Sequence, residues 1–340
     1  MREETPHRRR PRYSGKYPRR FDQKYKELSG NPETLARVLA SGKTPAGSHV
    51  PIMVEEILKV LDPRPGDIAV DCTLGFGGHT RRLLSRVVPG GHLIGLDADP
   101  LELPKTEAAL RAEGFGEDFF TARKSNFAGL PAALAASGFS GAGVILADLG
   151  VSSMQLDNPA RGFTWKSAGP LDMRMNPSRG VSAAQWFLKI RPPALEQALI
   201  ENADEPDAAL LAAGLAGKCL ETTTDLADAI RSALPHRPAE LVEKAIRRVF
   251  QAVRIAVNEE FSALDALLRA LPACMNPGGR VAILTFHSGE DRRVKKAFQA
   301  GFREGIFSSI ADEVTRASSD ECRTNPRATS AKLRWACRAE

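Results

Sequence analysis

The chain has 340 residues, of which 43% are hydrophobic, and a formal net charge of +6. This length allows one large or two ordinary domains, and we expect neither a membrane span, which needs about 18 apolar residues, nor a secretion signal. The five cysteines (Cys72, Cys219, Cys274, Cys322 and Cys337) form no C-x-x-C pair, which argues against a disulfide framework or a metal site and favours a reducing, cytoplasmic location.

The first 26 residues carry most of the positive charge. They hold ten Lys and Arg side chains against three acidic ones, a net charge of +7, so the other 314 residues sum to −1. All three tyrosines, Tyr13, Tyr17 and Tyr25, lie among these cations. Because such a segment cannot bury apolar area, we expect residues 1–48 to be a disordered tail and linker suited to phosphates and unstacked bases. A solubilising tail without a partner is the alternative.

Ordered structure is expected to begin after the linker SGKTPAGSH. Val54, Ile57, Leu58 and Leu61 recur at helical spacing, which predicts a helix that packs on a sheet. Short apolar segments that end in a polar residue then alternate with helical segments; they are DIAVDCTL, HLIGLDADP, AGVILADLGV and GGRVAILTFHS. This alternation predicts an α/β fold with a parallel sheet.

The alternation stops between Gly150 and about Pro238. The loop MQLDNPARGFTWKSAGPLDMRMNPSRG is followed there by Ala-rich helical segments. We therefore expect a helical insert at 156–238, within a domain made of 49–155 and 239–340.

Polar residues mark the starts of helices in this insert. Ser182 and Gln185 have the spacing of a capping box, and Thr223 or Thr224 is expected to cap a later helix. The segment VEKAIRRVFQAVRIAVNEEFSALDALLRAL predicts one long helix that closes the insert.

A glycine-rich turn follows the first predicted strand. Asp71 ends that strand, Gly75, Gly77 and Gly78 follow it, and Asp97 ends the next strand. The spacing is not the dinucleotide G-x-G-x-x-G, and an acid at this place suits an amine- or sulfonium-bearing ligand better than a pyrophosphate. The turn therefore favours S-adenosylmethionine over NAD, with tight packing without a ligand as the alternative.

Several segments together resemble one known family. They are HVPIMVEE, DCTLGFGGHT, DLGVSSMQLD, RGFTWKSAGPLDMRMNPSRG, FQAVRIAVNEE, TFHSGEDR and TNPRATSAKLR, in this order between His49 and about Arg334. The chain is similar to the bacterial 16S rRNA (cytosine-N4)-methyltransferase family (RsmH/MraW). The resemblance implies a class I, Rossmann-like methyltransferase fold with a helical insert, which methylates a cytidine in the decoding region of the small ribosomal subunit. Its implied S-adenosyl-L-methionine contacts are Gly77, Gly78, His79, Asp97, Phe127, Asp148 and Gln155.

Elementary chemistry suits these implied contacts. Gly77 and Gly78 would let the backbone approach the methionine portion, and Asp97 can accept hydrogen bonds from ribose hydroxyls. Phe127 follows a predicted strand and is placed to cover the adenine face, although a core aromatic is an equal alternative.

The methyl transfer needs a group that orients the amine. A cytosine amine is a poor nucleophile, so an acceptor must align it with the methyl–sulfur bond. Asp148, at the end of VILAD, can accept the amine N–H or contact the cofactor, while Ser152 and Ser153 are expected to bind the base or cap a turn. His79 is expected to bind the ligand or to cap a helix from Thr80.

The target base must be turned out of folded RNA into the site. Candidate RNA contacts, each of which is equally explained as solvated charge or a structural residue, are Arg161, Trp165, Arg174, Arg179, Arg254, Asn258, His287 and the cluster Arg292, Arg293, Lys295, Lys296. Phe250, Val253, Val257 and Phe261 form the opposite, buried face of the long helix.

One segment departs from the family pattern. ENADEPDAALLAAGLAG, at 201–217, is acidic and then neutral where the family carries a basic helix, so we expect no RNA contacts from it. The basic tail is the alternative source of such contacts. Two other functions stay open: a non-catalytic RNA-binding assembly factor, and a methyltransferase of shifted nucleic-acid substrate. A nicotinamide oxidoreductase is disfavoured by the glycine spacing.

Overall fold

The computed structural model describes residues 51–340, except for the side chains of Ser153 and Met154. The expected tail at 1–48 therefore lies outside the described residues. Within the described part, one sheet has the strand order β3-β2-β1-β4-β5-β7-β6. Its strands are β1 (Ile68–Asp71), β2 (His92–Asp97), β3 (Phe120–Lys124), β4 (Ala142–Asp148), β5 (Met275–Thr285), β6 (Phe307–Ile310) and β7 (Lys332–Arg338).

Helices connect the strands and form the insert. Around the sheet lie α1 (Val54–Leu61), α2 (Gly78–Val87), α3 (Leu103–Ala112), α4 (Leu130–Ala136), α11 (Glu260–Cys274), α12 (Ser288–Arg303) and α13 (Ser319–Thr324). Between β4 and α11 lie α5 (Ser153–Asp157), α6 (Ala183–Lys189), α7 (Pro192–Ala203), α8 (Ala208–Leu215), α9 (Thr223–Ala233) and α10 (Ala239–Asn258). Short 3₁₀ turns cover Phe127–Gly129, Pro159–Arg161 and Pro326–Ser330.

The predicted parallel sheet is confirmed for its central strands. β1 pairs with β2 and β4, β2 with β3, and β4 with β5, all in parallel. β7 pairs antiparallel with both β5 and β6, so the carboxyl-terminal part adds an antiparallel edge that the alternation of segments did not predict. Such an edge is common on otherwise parallel sheets.

Apolar side chains cover both faces of the sheet. On one face Met53 and Ile57 of the α1 segment pack with Leu83 and Leu84 of α2, and all four are at most 1% exposed. On the other face Leu264 and Leu267 of α11 pack against the central strands. Burial on both faces explains the continuous apolar sequences of β1, β2 and β4.

The insert has a hydrophobic core of its own. Phe187 of α6, Leu199 of α7 and Leu211 of α8 are fully buried there, together with Ile246 and Val253 of α10. The buried face of α10 therefore belongs to the insert core, although the expected boundary at residue 238 assigned this helix to the other domain. We keep the division into domains as a proposal, with α10 shared.

The predicted closing helix is in fact two helices. Glu259 has a φ of 52°, which ends α10 and starts α11. Residues other than glycine rarely adopt this left-handed backbone conformation. Here it turns the chain between the two hydrophobic cores. Phe250 and Val253 consequently lie in the insert core, whereas Phe261 contacts His287 at a ring distance of 5.7 Å.

The helix caps are partly as predicted. Ser182 accepts a hydrogen bond from the Gln185 amide, and the two residues form the expected capping box. The later cap is Thr222, because its hydroxyl accepts from the Asp225 amide; the expectation of Thr223 or Thr224 was wrong by one or two positions. Thr223 instead donates its hydroxyl to the Ser167 carbonyl, which explains why its side chain is buried.

None of the helices within residues 51–340 is long and apolar enough to cross a membrane. In the same part of the chain, no group of three or more His, Cys, Asp or Glu side chains could hold a metal ion.

The cap of α9 gives a direct test of this assignment. Thr222→Ala should lower the free energy of unfolding by about 1 kcal/mol, because the Asp225 amide loses its acceptor at the helix start. Thr224→Ala removes only a hydroxyl contact with Thr222 at 3.0 Å and leaves the cap itself in place, so it should cost only a few tenths of that amount. Urea titration of both variants measures the difference, and equal losses would show that Thr222 is not the cap.

Candidate active site

Three aspartates end neighbouring parallel strands. Asp71, Asp97 and Asp148 are the last residues of β1, β2 and β4, and β1 lies between the other two strands. The carboxyl ends of adjacent parallel strands form the usual ligand-binding edge of an open α/β sheet. The structure thus brings together the strand-end acids that the sequence singled out.

Asp71 holds this edge together from inside the protein. Its side chain is 1% exposed, and its carboxylate accepts hydrogen bonds from the Thr73 amide at 3.0 Å and the Thr80 hydroxyl at 2.7 Å. The Thr73 hydroxyl in turn accepts from the Asp148 amide at 2.7 Å. Burial raises the pKa of Asp71. Asp71 therefore acts on the turn and on α2, and it does not face a ligand as the sequence suggested.

Asp97 is the half-buried acid of the edge. One carboxylate oxygen accepts from the Gly75 amide and the other from the Asp99 amide, both at 2.8 Å. Burial raises the pKa of Asp97 to about 6, although both hydrogen bonds oppose this shift. Because each carboxylate oxygen has a second lone pair, Asp97 can still accept from a ligand hydroxyl.

His79 and Asp148 face each other across the edge. The His79 Nε2 atom lies 3.6 Å from the Asp148 Oδ2 atom. His79 is 7% exposed, and among the described residues neither its Nε2 atom nor the Asp148 Oδ1 atom has a hydrogen-bond partner. His79 is the second residue of α2, whose N-cap is Gly77, so it does not cap the helix. Buried polar atoms without partners are costly and mark a place where a ligand or a proton is expected.

The glycines of the turn differ in what surrounds them. A Cβ atom at Gly78 would lie 3.2 Å from the ring of Pro51, and one at Gly77 would lie 3.1–3.2 Å from Arg81 and Thr106. Both glycines therefore allow close packing within the protein, in addition to any approach to a ligand. At Gly75 the nearest atom to a Cβ would be a backbone oxygen 3.8 Å away, so Gly75 has the most open side.

Phe127 and Gln155 flank the edge. Phe127 begins a 3₁₀ turn after β3, and its half-buried ring packs against the core below it, which leaves one part exposed. Gln155 is 8% exposed; its amide nitrogen donates to Asp99 at 2.8 Å and its amide oxygen accepts from the Ser152 amide at 2.9 Å. Gln155 thus orders the loop after β4. The expected Ser153 side chain lies outside the described residues.

The side chains of Arg161 and Asn258 bind other residues of the protein. Neither side chain is exposed in a way that would suit contact with RNA. Arg161 is 8% exposed and pairs with Asp99 at 2.7 Å. The Asn258 amide donates to the Met173 carbonyl and accepts from the Met175 amide, at 2.8 and 2.7 Å. The expectation of direct RNA contacts is corrected for both residues, because their polar atoms already hold the insert loop.

Arg254 and His287 are similarly engaged. Arg254 makes a bidentate contact with Glu260 at 2.7 and 2.8 Å, and His287 caps α12 by accepting from the Glu290 amide. Burial raises the pKa of Glu290, but its contacts with His287 and Arg254 outweigh burial and hold that pKa below its usual value. Both predicted RNA contacts are therefore structural in this conformation.

The remaining candidates lie nearer the surface. Arg179 is exposed, Arg174 pairs with Asp172 at 2.7 Å, and the half-buried ring of Trp165 lies 5.2 Å from that of Phe250. On α12, Arg292 and Arg293 pair with acids of neighbouring helices, while Lys295 and Lys296 are exposed. The exposed ones, Arg179, Arg292, Lys295 and Lys296, remain available for contact with an anionic partner.

Sequence reasoning missed Asp99, Thr73 and Thr80. Asp99 is 1% exposed and accepts from Gln155 and Arg161, although it lies only two residues beyond the acid that ends β2. The only signal was the second aspartate of LDADP, which reads equally well as a turn residue. The two threonines are ordinary residues in sequence, and only their positions beside Asp71 give them a role.

Among solved structures, the chain matches a protein from Clostridium thermocellum described as a putative rRNA-methylase. It has 11% sequence identity to this chain and a TM-score of 0.41, and the alignment covers 84% of this chain and 93% of that one.

Curated relatives are much more similar in sequence. A protein of Agathobacter rectalis named ribosomal RNA small subunit methyltransferase H 1 is 47% identical over 100% of both chains, and a methyltransferase H 2 of Alkaliphilus metalliredigens is 46% identical over 99% of both. A methyltransferase H of Thioalkalivibrio sulfidiphilus is 40% identical over 87% of this chain and 98% of its own. The first alignment includes the basic amino-terminal segment, and the third leaves part of this chain unmatched.

The MraW methylase family matches residues 46–339. The match covers the strands, the glycine-rich turn and the helical segments described above. It also confirms the resemblance on which the methyltransferase fold was expected. The chain belongs to the MraW methylase family.

Proposed function

We propose that this protein transfers a methyl group from S-adenosyl-L-methionine to the exocyclic N4 amine of a cytidine in the decoding region of 16S rRNA. The substrate would be the small ribosomal subunit, in the cytoplasm. The observation that carries the proposal is the close approach of His79 and Asp148, at 3.6 Å, at the ligand-binding edge of a chain in a methylase family. Each of the two side chains has a buried polar atom, Nε2 or Oδ1, without a hydrogen-bond partner among the described residues. The names of the curated relatives support an rRNA substrate.

The described residues fit the proposed cofactor. Asp97 has free lone pairs for ribose hydroxyls, the part-exposed ring of Phe127 can cover an adenine, and Gly75 leaves the turn open. An isolated sulfonium is favoured near carboxylates, and Asp148 is 29% exposed at the same edge. When bound, the cofactor supplies an electrophilic methyl group, which forms a bond to nitrogen while the carbon–sulfur bond breaks.

The protein itself has two tasks in this reaction: it orients the cytosine amine and accepts its proton. The Asp148 carboxylate, which is 29% exposed, accepts an N–H of the cytosine amine, and this turns the nitrogen lone pair toward the methyl group. The imidazole of His79 lies beside the Oδ2 atom of this carboxylate, where it can donate a hydrogen bond and hold the carboxylate in that orientation. The amine proton passes to the carboxylate and from its exposed side to solvent.

RNA would be held by the remaining surface candidates. Arg174, Arg179 and Trp165 lie on or beside the insert loop that follows the candidate active site in sequence. Splaying the target base out of the RNA lets an aromatic ring stack on it and lets arginines bind its phosphates. The basic tail at 1–48 is a further candidate, which stays a prediction because it lies outside the described residues.

Methyl transfer to isolated small subunits tests the proposal. Subunits from cells that lack this protein are incubated with it and labelled S-adenosylmethionine, and the methylated nucleotide is mapped by mass spectrometry. We expect one methyl group on the N4 amine of one cytidine in the decoding region. Methylation elsewhere would indicate a shifted substrate, and binding without methylation would indicate a non-catalytic assembly factor.

The proposed role of Asp148 predicts a separation of rate from affinity. Asp148→Asn keeps the shape of the side chain but removes the proton acceptor, so the rate of methyl transfer should fall by roughly 10²–10⁴-fold. Cofactor affinity should fall by a smaller factor. Asp312→Asn, which changes an exposed acid, serves as the control. If transfer and affinity both stay near the wild-type values, the acceptor is another group.

The raised pKa of Asp97 predicts a pH-dependent affinity. Above a pH of about 6 the carboxylate is charged and accepts from ribose hydroxyls, and below it the proton removes an acceptor. The affinity for S-adenosylhomocysteine should therefore fall as pH decreases from 7.5 to 5, with the change centred at about 6. Calorimetry at several pH values measures it. Asp97→Asn is the necessary comparison: an unchanged pH profile in that variant would assign the effect to another group.

A further inference from the structure

We propose that Arg161 is a positioning residue that couples cofactor binding to RNA binding, an inference that rests on the proposed function. It would do so by joining the turn after β2, on the cofactor side, to residues 172–175 of the insert loop, on the RNA side. No part of this role requires Arg161 to touch either ligand.

The cofactor side of this connection is a short chain of hydrogen bonds. The Asp99 amide donates to Asp97, the acid proposed to bind the ribose, at 2.8 Å. The Asp99 carboxylate then accepts from Arg161 at 2.7 Å and from Gln155 at 2.8 Å. Asp99 is 1% exposed, so water cannot easily replace these partners, and losing one of them would cost free energy.

The RNA side uses the other guanidinium nitrogen. It donates to the carbonyl oxygens of Arg174 and Met175, at 3.1 and 2.9 Å. A guanidinium is planar and its donors are fixed relative to one another. A displacement of Asp99 therefore shifts the segment that contains Arg174, and a displacement of that segment shifts Asp99.

The insert loop is held too tightly to absorb such a displacement. Gly162, with a φ of 77°, has no room for a side chain, because a Cβ atom there would lie 2.3 Å from the Pro170 carbonyl and 2.7 Å from the Asp172 amide. From the other side, the Asn258 amide group binds Met173 and Met175. The loop thus moves as one unit with Arg161 and α10, and this makes the connection mechanical as well as electrostatic.

The consequence is reciprocal. If RNA binding favours the loop position in which Arg161 and Asp99 are aligned, it also favours the position of Asp97 that accepts the ribose, and cofactor binding favours RNA binding by the same factor. The coupling free energy depends on the ion pair being present, not on the affinity of either site alone.

The test compares the affinity for S-adenosylhomocysteine with and without saturating unmethylated small subunits, by equilibrium dialysis. Because this product does not react, the measurement is independent of turnover. In the wild type we expect the subunits to tighten binding by roughly 5-fold or more, as is usual for coupled sites. In Arg161→Met the ratio of the affinities with and without subunits should fall close to 1. Arg161→Lys keeps the charge but lacks the planar set of donors, so it should restore only part of the ratio.

Two further variants control for stability. Arg334 is an equally buried arginine, 7% exposed and 2.6 Å from Asp291, and Arg334→Met should keep the wild-type ratio. Asp99→Asn with Arg161→Met leaves no unpaired buried charge, so it should fold even where the single variant does not, and it should still lack the coupling.

Each outcome is decisive. A wild-type ratio of 1, an unchanged ratio in both Arg161 variants, or an equal loss in Arg334→Met overturns the inference while leaving the proposed function intact. Failure of the wild type to bind S-adenosylhomocysteine at all would overturn the proposed function as well.

Discussion

The buried carboxylate of Asp71 is the interaction on which the rest of the candidate site depends. Its hydrogen bonds to Thr73 and Thr80 join the end of β1, the glycine-rich turn and the first turn of α2. Through the Thr73 hydroxyl the same group reaches the Asp148 amide at the end of β4. A carboxyl group with 1% exposure is tolerated only where such partners satisfy it, so the turn can take few other conformations.

This constraint explains how the His79 Nε2 and Asp148 Oδ1 atoms can remain without hydrogen-bond partners among the described residues. Thr80, the residue after His79, is bonded directly to Asp71, and the backbone of Asp148 is bonded through Thr73. Neighbouring residues therefore fix the backbone at both positions, and this fixes where the two side chains begin. Such support keeps polar atoms available for a ligand, at a cost in stability that the surrounding hydrogen bonds and the two apolar faces of the sheet offset.

Buried arginines follow the same rule. Arg161 of the insert loop, Arg254 of α10 and Arg334 of β7 are each paired with a buried or half-buried acid at 2.6–2.7 Å, and each pair joins two different elements. Arginine suits this use because it stays charged and presents several donors in one plane. A large share of the cations near the candidate site thus holds the protein together, and a smaller, exposed share is left for RNA.

The sequence predicted the central strands and singled out the aspartates that end β1, β2 and β4, because apolar periodicity and strand-end acids are local signals. It did not predict β6 and β7, whose short segments alternate weakly, or the break at Glu259, where no glycine or proline marks the left-handed turn. The sequence also did not predict the structural roles of Arg161 and Asn258. An arginine in a loop is normally interpreted as a surface charge, and only the structure shows that buried Asp99 lies beside Arg161.

A crystal structure of the protein with S-adenosylmethionine bound tests the central claim most directly, namely that the edge organised by Asp71 is the cofactor site. The account predicts ribose hydroxyls within about 3.2 Å of the Asp97 carboxylate, adenine against Phe127, and the methyl group facing the space between His79 and Asp148. A cofactor bound elsewhere would contradict it. One such place is the groove between α11 and α12, of about 290 Å³ and lined by Leu268, Arg269 and Lys296.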